Sequence, residues 1–165
     1  MISSSDLSIV VHVVLGLLAL VCILSRQVQK RPARSSLRMP LVLTAVGLYE
    51  ATSFVRDAAP ASGVPAGVVA LLALGVVVGG ALAAVRGYQV RVWRDADGTF
   101  VRQGTPLTVL LWLVAIAAHL GIDVAIDRVA HDLSGLGSAS LLLYLGVVLG
   151  IQGLVVRRRA ELLPA

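Results

Sequence analysis

Apolar residues run through this chain in five blocks, at 7–25, 40–55, 65–85, 106–126 and 136–156, separated by shorter polar stretches. Each block approaches the roughly 20 residues that carry a helix across about 30 Å of hydrocarbon. No block alternates with period two, which argues against the strands of a membrane β-barrel. Pro40, Pro65 and Pro106 stand at block starts, where a missing N–H costs nothing. Thr105, just before Pro106, is a fitting N-cap. The pattern predicts an all-α, polytopic membrane protein of five transmembrane helices, built as a single domain over residues 1–165.

Between the third and fourth blocks the period changes. Val90 to Arg94 alternates, Asp95-Ala96-Asp97-Gly98 reads as a turn, and Thr99 to Gln103 alternates again. This predicts a short β-hairpin, with Gly98 supplying the positive φ of the turn. Trp93 is expected at the headgroup level, with Arg91, Arg94 and Arg102 meeting anionic lipid. A hairpin that only links two helices is the plainer alternative.

Composition agrees with the pattern. Of the 165 residues, 58% are apolar and only 4% aromatic. Soluble domains run nearer 45–50% apolar, and so short a chain cannot bury the excess. A lipid bilayer is the expected surrounding. The N-terminal residues hold Asp6 and no Lys or Arg before the first block. They lack the basic region of a signal peptide, so the first helix is expected to be retained.

The net charge of +5 would raise nucleic acid as a partner if the charge were clustered on a soluble face. Here it follows the gaps between blocks. Twelve of the 14 basic residues fall at 26–38, at 86–104 and at 157–159, leaving only Arg56 and Arg128 for the opposite side. The positive-inside rule then places those three stretches in the cytoplasm. An odd number of spans puts the N-terminus outside and the C-terminus in the cytoplasm. Nucleic acid is not an expected partner.

Polar residues inside the blocks are costly in lipid and mark candidate sites. They are His12, Glu50, His119 and Asp123, with Gln152 a weaker candidate. Counted from the predicted helix ends, the first four fall in the outer third of the membrane. His119 and Asp123 share a helix face by their spacing, and Glu50 and His12 reach the same depth from other helices. Three readings stand open. The cluster could hold helices together by hydrogen bonds. It could handle a proton or a ligand, since His with carboxylates titrates near neutral pH. It could bind a metal or haem through His12 and His119, although no HExxH or Cys/His cluster accompanies them.

Cys22 is the only cysteine, which rules out an intrachain disulfide. There is no P-loop, no GxSxG and no nucleophile beside a base, so enzymatic activity is not expected, nor is a cofactor or metal. Gly75, Gly79, Ala83 and Gly87 recur every fourth residue, as do Gly146 and Gly150. Such stripes let helices approach closely, either within the chain or against a second membrane protein or a second copy.

The residues Gly79-Gly80, Arg86-Gly87, Val92-Trp93-Arg94, Asp97-Gly98, Gln103-Gly104-Thr105 and Leu110 to Leu113 resemble the CcdC-like family of small bacterial membrane proteins. The resemblance implies the same helix count and hairpin position, and an association with cytochrome c biogenesis. It carries over no catalytic residue. On these grounds the chain is expected to be a non-enzymatic accessory or assembly partner of a larger complex. The alternative is a small transporter or proton-coupled membrane protein using the Glu50, His119 and Asp123 cluster.

Overall fold

The computed structural model describes residues 29–33, 37–59 and 63–163. The predicted first span, 7–25, and His12 within it lie outside the described residues.

The remaining blocks are helical. Helix α1 is Arg38–Ala58, α2 is Ala66–Gln89 and α3 is Pro106–Val129. The last block divides into a single turn, α4 at Leu136–Ala139, and a long helix, α5 at Leu141–Glu161. Ser140 separates the two, and Gly135, whose φ of 95° is left-handed, turns the chain into α4. A 3-10 turn at His131–Leu133 joins α3 to this corner. Helix α5 packs against α1 on one side and α2 on the other, and α3 packs against α2.

Pro106 occupies the first turn of α3, behind a reciprocal cap. Thr108 N–H donates to Thr105 Oγ1 at 3.4 Å, and Thr105 N–H donates to Thr108 Oγ1 at 3.0 Å. The threonine pair satisfies two backbone donors that a helix start leaves open.

Three stretches, Ala66–Gln89, Pro106–Val129 and His131–Glu161, are long and apolar enough to cross a membrane. The expectation of five such spans is therefore reduced to three among the described residues. Helix α1 is long enough, but Arg38, Glu50, Arg56 and Asp57 dilute its apolar content. The outer faces of the three qualifying helices expose large apolar side chains, including Val69, Leu74, Val77, Leu110, Leu120 and Leu154. Exposure on this scale suits a hydrocarbon solvent.

The hairpin forms, one residue shorter on each arm than predicted. Strands β2 (Arg91–Arg94) and β3 (Phe100–Gln103) pair antiparallel, with Trp93 opposite Val101. Val90 is spent on ending α2, its N–H donating to the Arg86 carbonyl at 3.0 Å. Thr99 N–H is taken by Asp97 Oδ1 at 3.0 Å inside the turn. The Thr99 hydroxyl also donates to that carboxylate, and these bonds hold the Asp97 carboxyl below the usual carboxylate range. A third strand, β1 at Arg31–Pro32, adds to the free edge of β3, in the order β1-β3-β2. Nothing in the sequence pattern marks this strand: two residues, one of them proline, carry no periodicity.

The core has three layers. Ala33, Val90, Val156 and Ala160 pack beneath the sheet. Ala83, Tyr144 and Val148 fill the middle. Val68, Ile126, Leu133 and Leu136 close the far end. Arg159 joins the first layer to the sheet, its Nη1 donating to the carbonyls of Gly87, Tyr88 and Val90 at 2.7–2.8 Å. These are terminal carbonyls of α2 and its cap, which a helix cannot satisfy itself.

One sequence boundary is corrected. The third block was ended at Val85, with Arg86 assigned to the loop. Helix α2 continues to Gln89, and Arg86 within it is fully buried.

Gly98 has a φ of 81°, as the turn requires. Gly98→Val forces a β-branched residue into that region, at a cost of about 1 kcal/mol or more. Hydrogen exchange of the β2–β3 amides should rise while exchange in α2 and α3 is unchanged. Equal protection in both proteins would refute the requirement.

Candidate functional site

The polar residues of the middle layer come from α3, from α5 and from the junction before α5. His119 on α3 is buried and stacks on the Tyr144 ring of α5, with centroids 4.5 Å apart and planes 25° from parallel. Tyr144 hydroxyl donates to the Ala115 carbonyl at 2.9 Å, one turn before His119. Tyr144 can reach α3 because Gly79 on α2 leaves room for its ring; a Cβ there would overlap the ring atoms.

Asp123 stands one turn beyond His119 on the same helix, as the spacing predicts. Its carboxylate lies against Gly137 of α4, where a Cβ would collide with Oδ1. Asp123 Oδ1 is buried with no hydrogen-bond partner. Asp123 and the Gly137 backbone both act electrostatically on the His119 ring. Nearby, Ser140 Oγ donates to the Gly137 carbonyl at 3.0 Å, which fixes the α4–α5 junction.

These groups line one half-open cavity of about 80 Å³. Its polar wall is His119, Asp123, Ser140 and Tyr144, and the rest is apolar, including Leu72, Gly75 and Ala51. The volume admits water or a small ligand group. Helix α3 runs three residues past the predicted end at Ile126, to Val129.

The structure does not bring Glu50 to this place. Glu50 is exposed on α1 and is absent from the cavity wall, whereas its neighbour Ala51 lines it. One residue along a helix is a turn of about 100°, enough to exchange one face for another. Among the described residues, no group of three or more His, Cys, Asp or Glu is placed to hold a metal ion.

The hairpin residues divide. Arg91 and Arg94 are exposed, and Arg94 lies 4.9 Å from the Phe100 ring centroid. Trp93 is half-buried beneath Lys30, which also pairs with Asp95. Arg102 is half-buried opposite Arg31, and burial is the larger cause that lowers its pKa, ahead of the Arg31 charge. The glycine stripes are occupied within the chain. Gly75 faces Ile122, Gly79 faces Tyr144, Gly146 meets Thr44 and Gly150 meets Pro40.

Sequence reasoning missed the most buried charge. Arg86 and Trp112 stack with Arg86 Cζ 4.2 Å from the ring centroid, and Gln152 is buried on α5. The signal was present in the unbroken apolar run from Ala81 through Val85, which gave no reason to end the helix before Arg86.

No known protein family, curated protein or solved structure matches this chain.

Gly137→Ala should displace the Asp123 carboxylate and destabilise the bundle by about 1–3 kcal/mol, the usual effect of overpacking. Adding Asp123→Ala removes the carboxyl but leaves its Cβ against the new methyl, so the double variant should recover part of the lost stability. Thermal unfolding in detergent measures the cycle. Additivity within about 0.5 kcal/mol would show that the two residues do not meet.

Proposed function

We propose that the chain is an integral inner-membrane protein whose His119–Asp123 pair handles protons at a cavity inside the bundle, as in a small transporter or proton-coupled membrane protein. The observation that carries this reading is the buried, unpartnered Asp123 Oδ1 on the wall of that cavity, beside the His119 ring. A purely structural cluster would have its polar atoms paired. An imidazole and a carboxyl side by side can instead pass one proton between them, with water in the cavity as the other party.

The reading includes five spans. Helix α1 lies along α5 and, at 21 residues, is about 31 Å long. It counts as a fourth span packed against others; the fifth, 7–25, rests on the apolar pattern of the sequence alone. The sheet end gathers Lys30, Arg31, Arg91, Arg94, Arg102 and Arg159, and this supports placing that end in the cytoplasm against anionic headgroups. Kinship with the CcdC-like family belongs to the same proposal. The second reading, an accessory or assembly partner, is favoured by the exposed apolar residues of α1, among them Met39, Leu41, Val46 and Tyr49. Such a face suits another membrane protein as well as it suits lipid.

Topology is tested in a Cys22→Ser background with an impermeant thiol reagent. Cysteines introduced at Arg91 and Arg159 should label only after lysis, and one introduced at His131 should label in intact cells. Labelling at position 91 in intact cells would overturn the assignment.

The site is tested with the full chain in liposomes holding a pH-sensitive dye, under an imposed potassium diffusion potential. Proton flux above that of empty liposomes is expected. Asp123→Asn and His119→Gln should each lower it about tenfold or more, equivalent to about 1.4 kcal/mol. Glu50→Gln should leave it unchanged, because Glu50 is outside the cavity. Flux equal to that of empty liposomes, or full flux in Asp123→Asn, would sink the proposal.

A further inference from the structure

Arg86 does not line the His119–Asp123 cavity, although its charge acts on Tyr144 in the cavity wall. Its side chain is fully enclosed, and Nε, Nη1 and Nη2 are all without hydrogen-bond partners. One face rests on the Trp112 ring, 4.2 Å from Cζ to the centroid. A desolvated cation–π contact gives a buried cation some support. It satisfies none of the five N–H groups of the guanidinium, and burying an ion without a counter-charge is costly. The indole beneath adds a fourth unpartnered donor, Trp112 Nε1. Four donor nitrogens in one stack, one group carrying a fixed positive charge, form the chemistry that receives an oxyanion.

The surroundings lead an anion there. Arg86 is three residues from the end of α2 at Gln89, just below the sheet. The carbonyls at that end, on Gly87, Tyr88 and Val90, are already taken by Arg159 Nη1, so they do not compete for Arg86. Above it the strands carry Arg31, Arg91, Arg94 and Arg102. Clustered positive charge raises the local concentration of anions. The long arginine stem allows the guanidinium to leave the indole and rise toward this end of the bundle.

We propose that Arg86, stacked on Trp112, is an oxyanion-binding residue that takes a phosphate group reaching the bundle from its sheet-bearing end. The phosphate belongs either to a lipid headgroup or to a soluble ion, and the chemistry of recognition is the same. The proposal shares no residue with the His119–Asp123 site, so either can fail without the other.

Trp112 is the natural reporter, because the chain has 2 tryptophans and Trp93→Phe leaves Trp112 alone. The full-length Trp93→Phe protein is held in a maltoside detergent, which contains no phosphate. Inorganic phosphate is titrated in one arm and short-chain phosphatidylglycerol in the other, with Trp112 emission as the readout. A saturable change is expected in at least one arm; phosphate alone identifies a soluble ligand, and phosphatidylglycerol alone identifies a headgroup. Arg86→Gln should abolish the response, and Arg86→Lys should weaken the affinity about tenfold, since the fork is lost and the charge kept. No response in either arm, or the same response in Arg86→Gln, overturns the proposal. If Arg86→Gln does not fold by circular dichroism, Arg86→Lys decides: unchanged affinity overturns the proposal, weakened affinity supports it.

Discussion

The Tyr144 hydroxyl donates to the Ala115 carbonyl at 2.9 Å, and much of the bundle depends on that bond. In an apolar surrounding a buried hydroxyl left without a partner costs about 1–3 kcal/mol, with no water available to replace it. The bond therefore sets the level of α5 against α3. The same ring fills the space that Gly79 leaves on α2, so three helices meet around one side chain. Stacking on His119 follows from the geometry, because His119 is one turn from Ala115 on the same face. Asp123 falls one turn further, where α4 offers Gly137. The cavity is the space left over when Tyr144 is held in this position.

The apolar blocks, the capped start of α3 and the hairpin were legible in the sequence because each rests on local rules. Thr105 and Pro106 mark a helix start whatever packs nearby. Asp97 and Gly98 make their turn from bonds within two residues. The neighbourhood of His119 and Asp123 was legible for the same reason: they share one helix. What depends on distant elements was not. Strand β1 exists only because β3 has a free edge for residues 31–33 to meet. Glu50 was placed by depth alone, and depth says nothing about which way a helix turns its faces. Arg86 was read as a loop residue because it is basic and ends an apolar run. Its burial is set by α5 and Trp112, which a scan along α2 does not contain.

The buried polar atoms without partners are distributed in a telling way. They belong to Arg86, Trp112, Asp123 and Gln152, all on the helices apolar enough to cross a membrane. By contrast, the polar groups at the sheet end are well used: Arg159 satisfies three carbonyls, Lys30 takes Asp95 and Arg157 takes Glu161. The far end is closed by an apolar cluster. Exposed pairs of this kind contribute little to stability, and their loss is easily borne. A charge in the interior is different, because replacing it with an apolar side chain of similar volume often stabilises. Stability alone therefore gives no reason to keep Arg86 or Asp123 in the core. Arg86 and Asp123, each with one or more buried polar atoms lacking a hydrogen-bond partner, stand on neighbouring helices of the same bundle. Asp123 lines the half-open cavity and Arg86 lies below the basic strands, so the two proposals rest on separate observations.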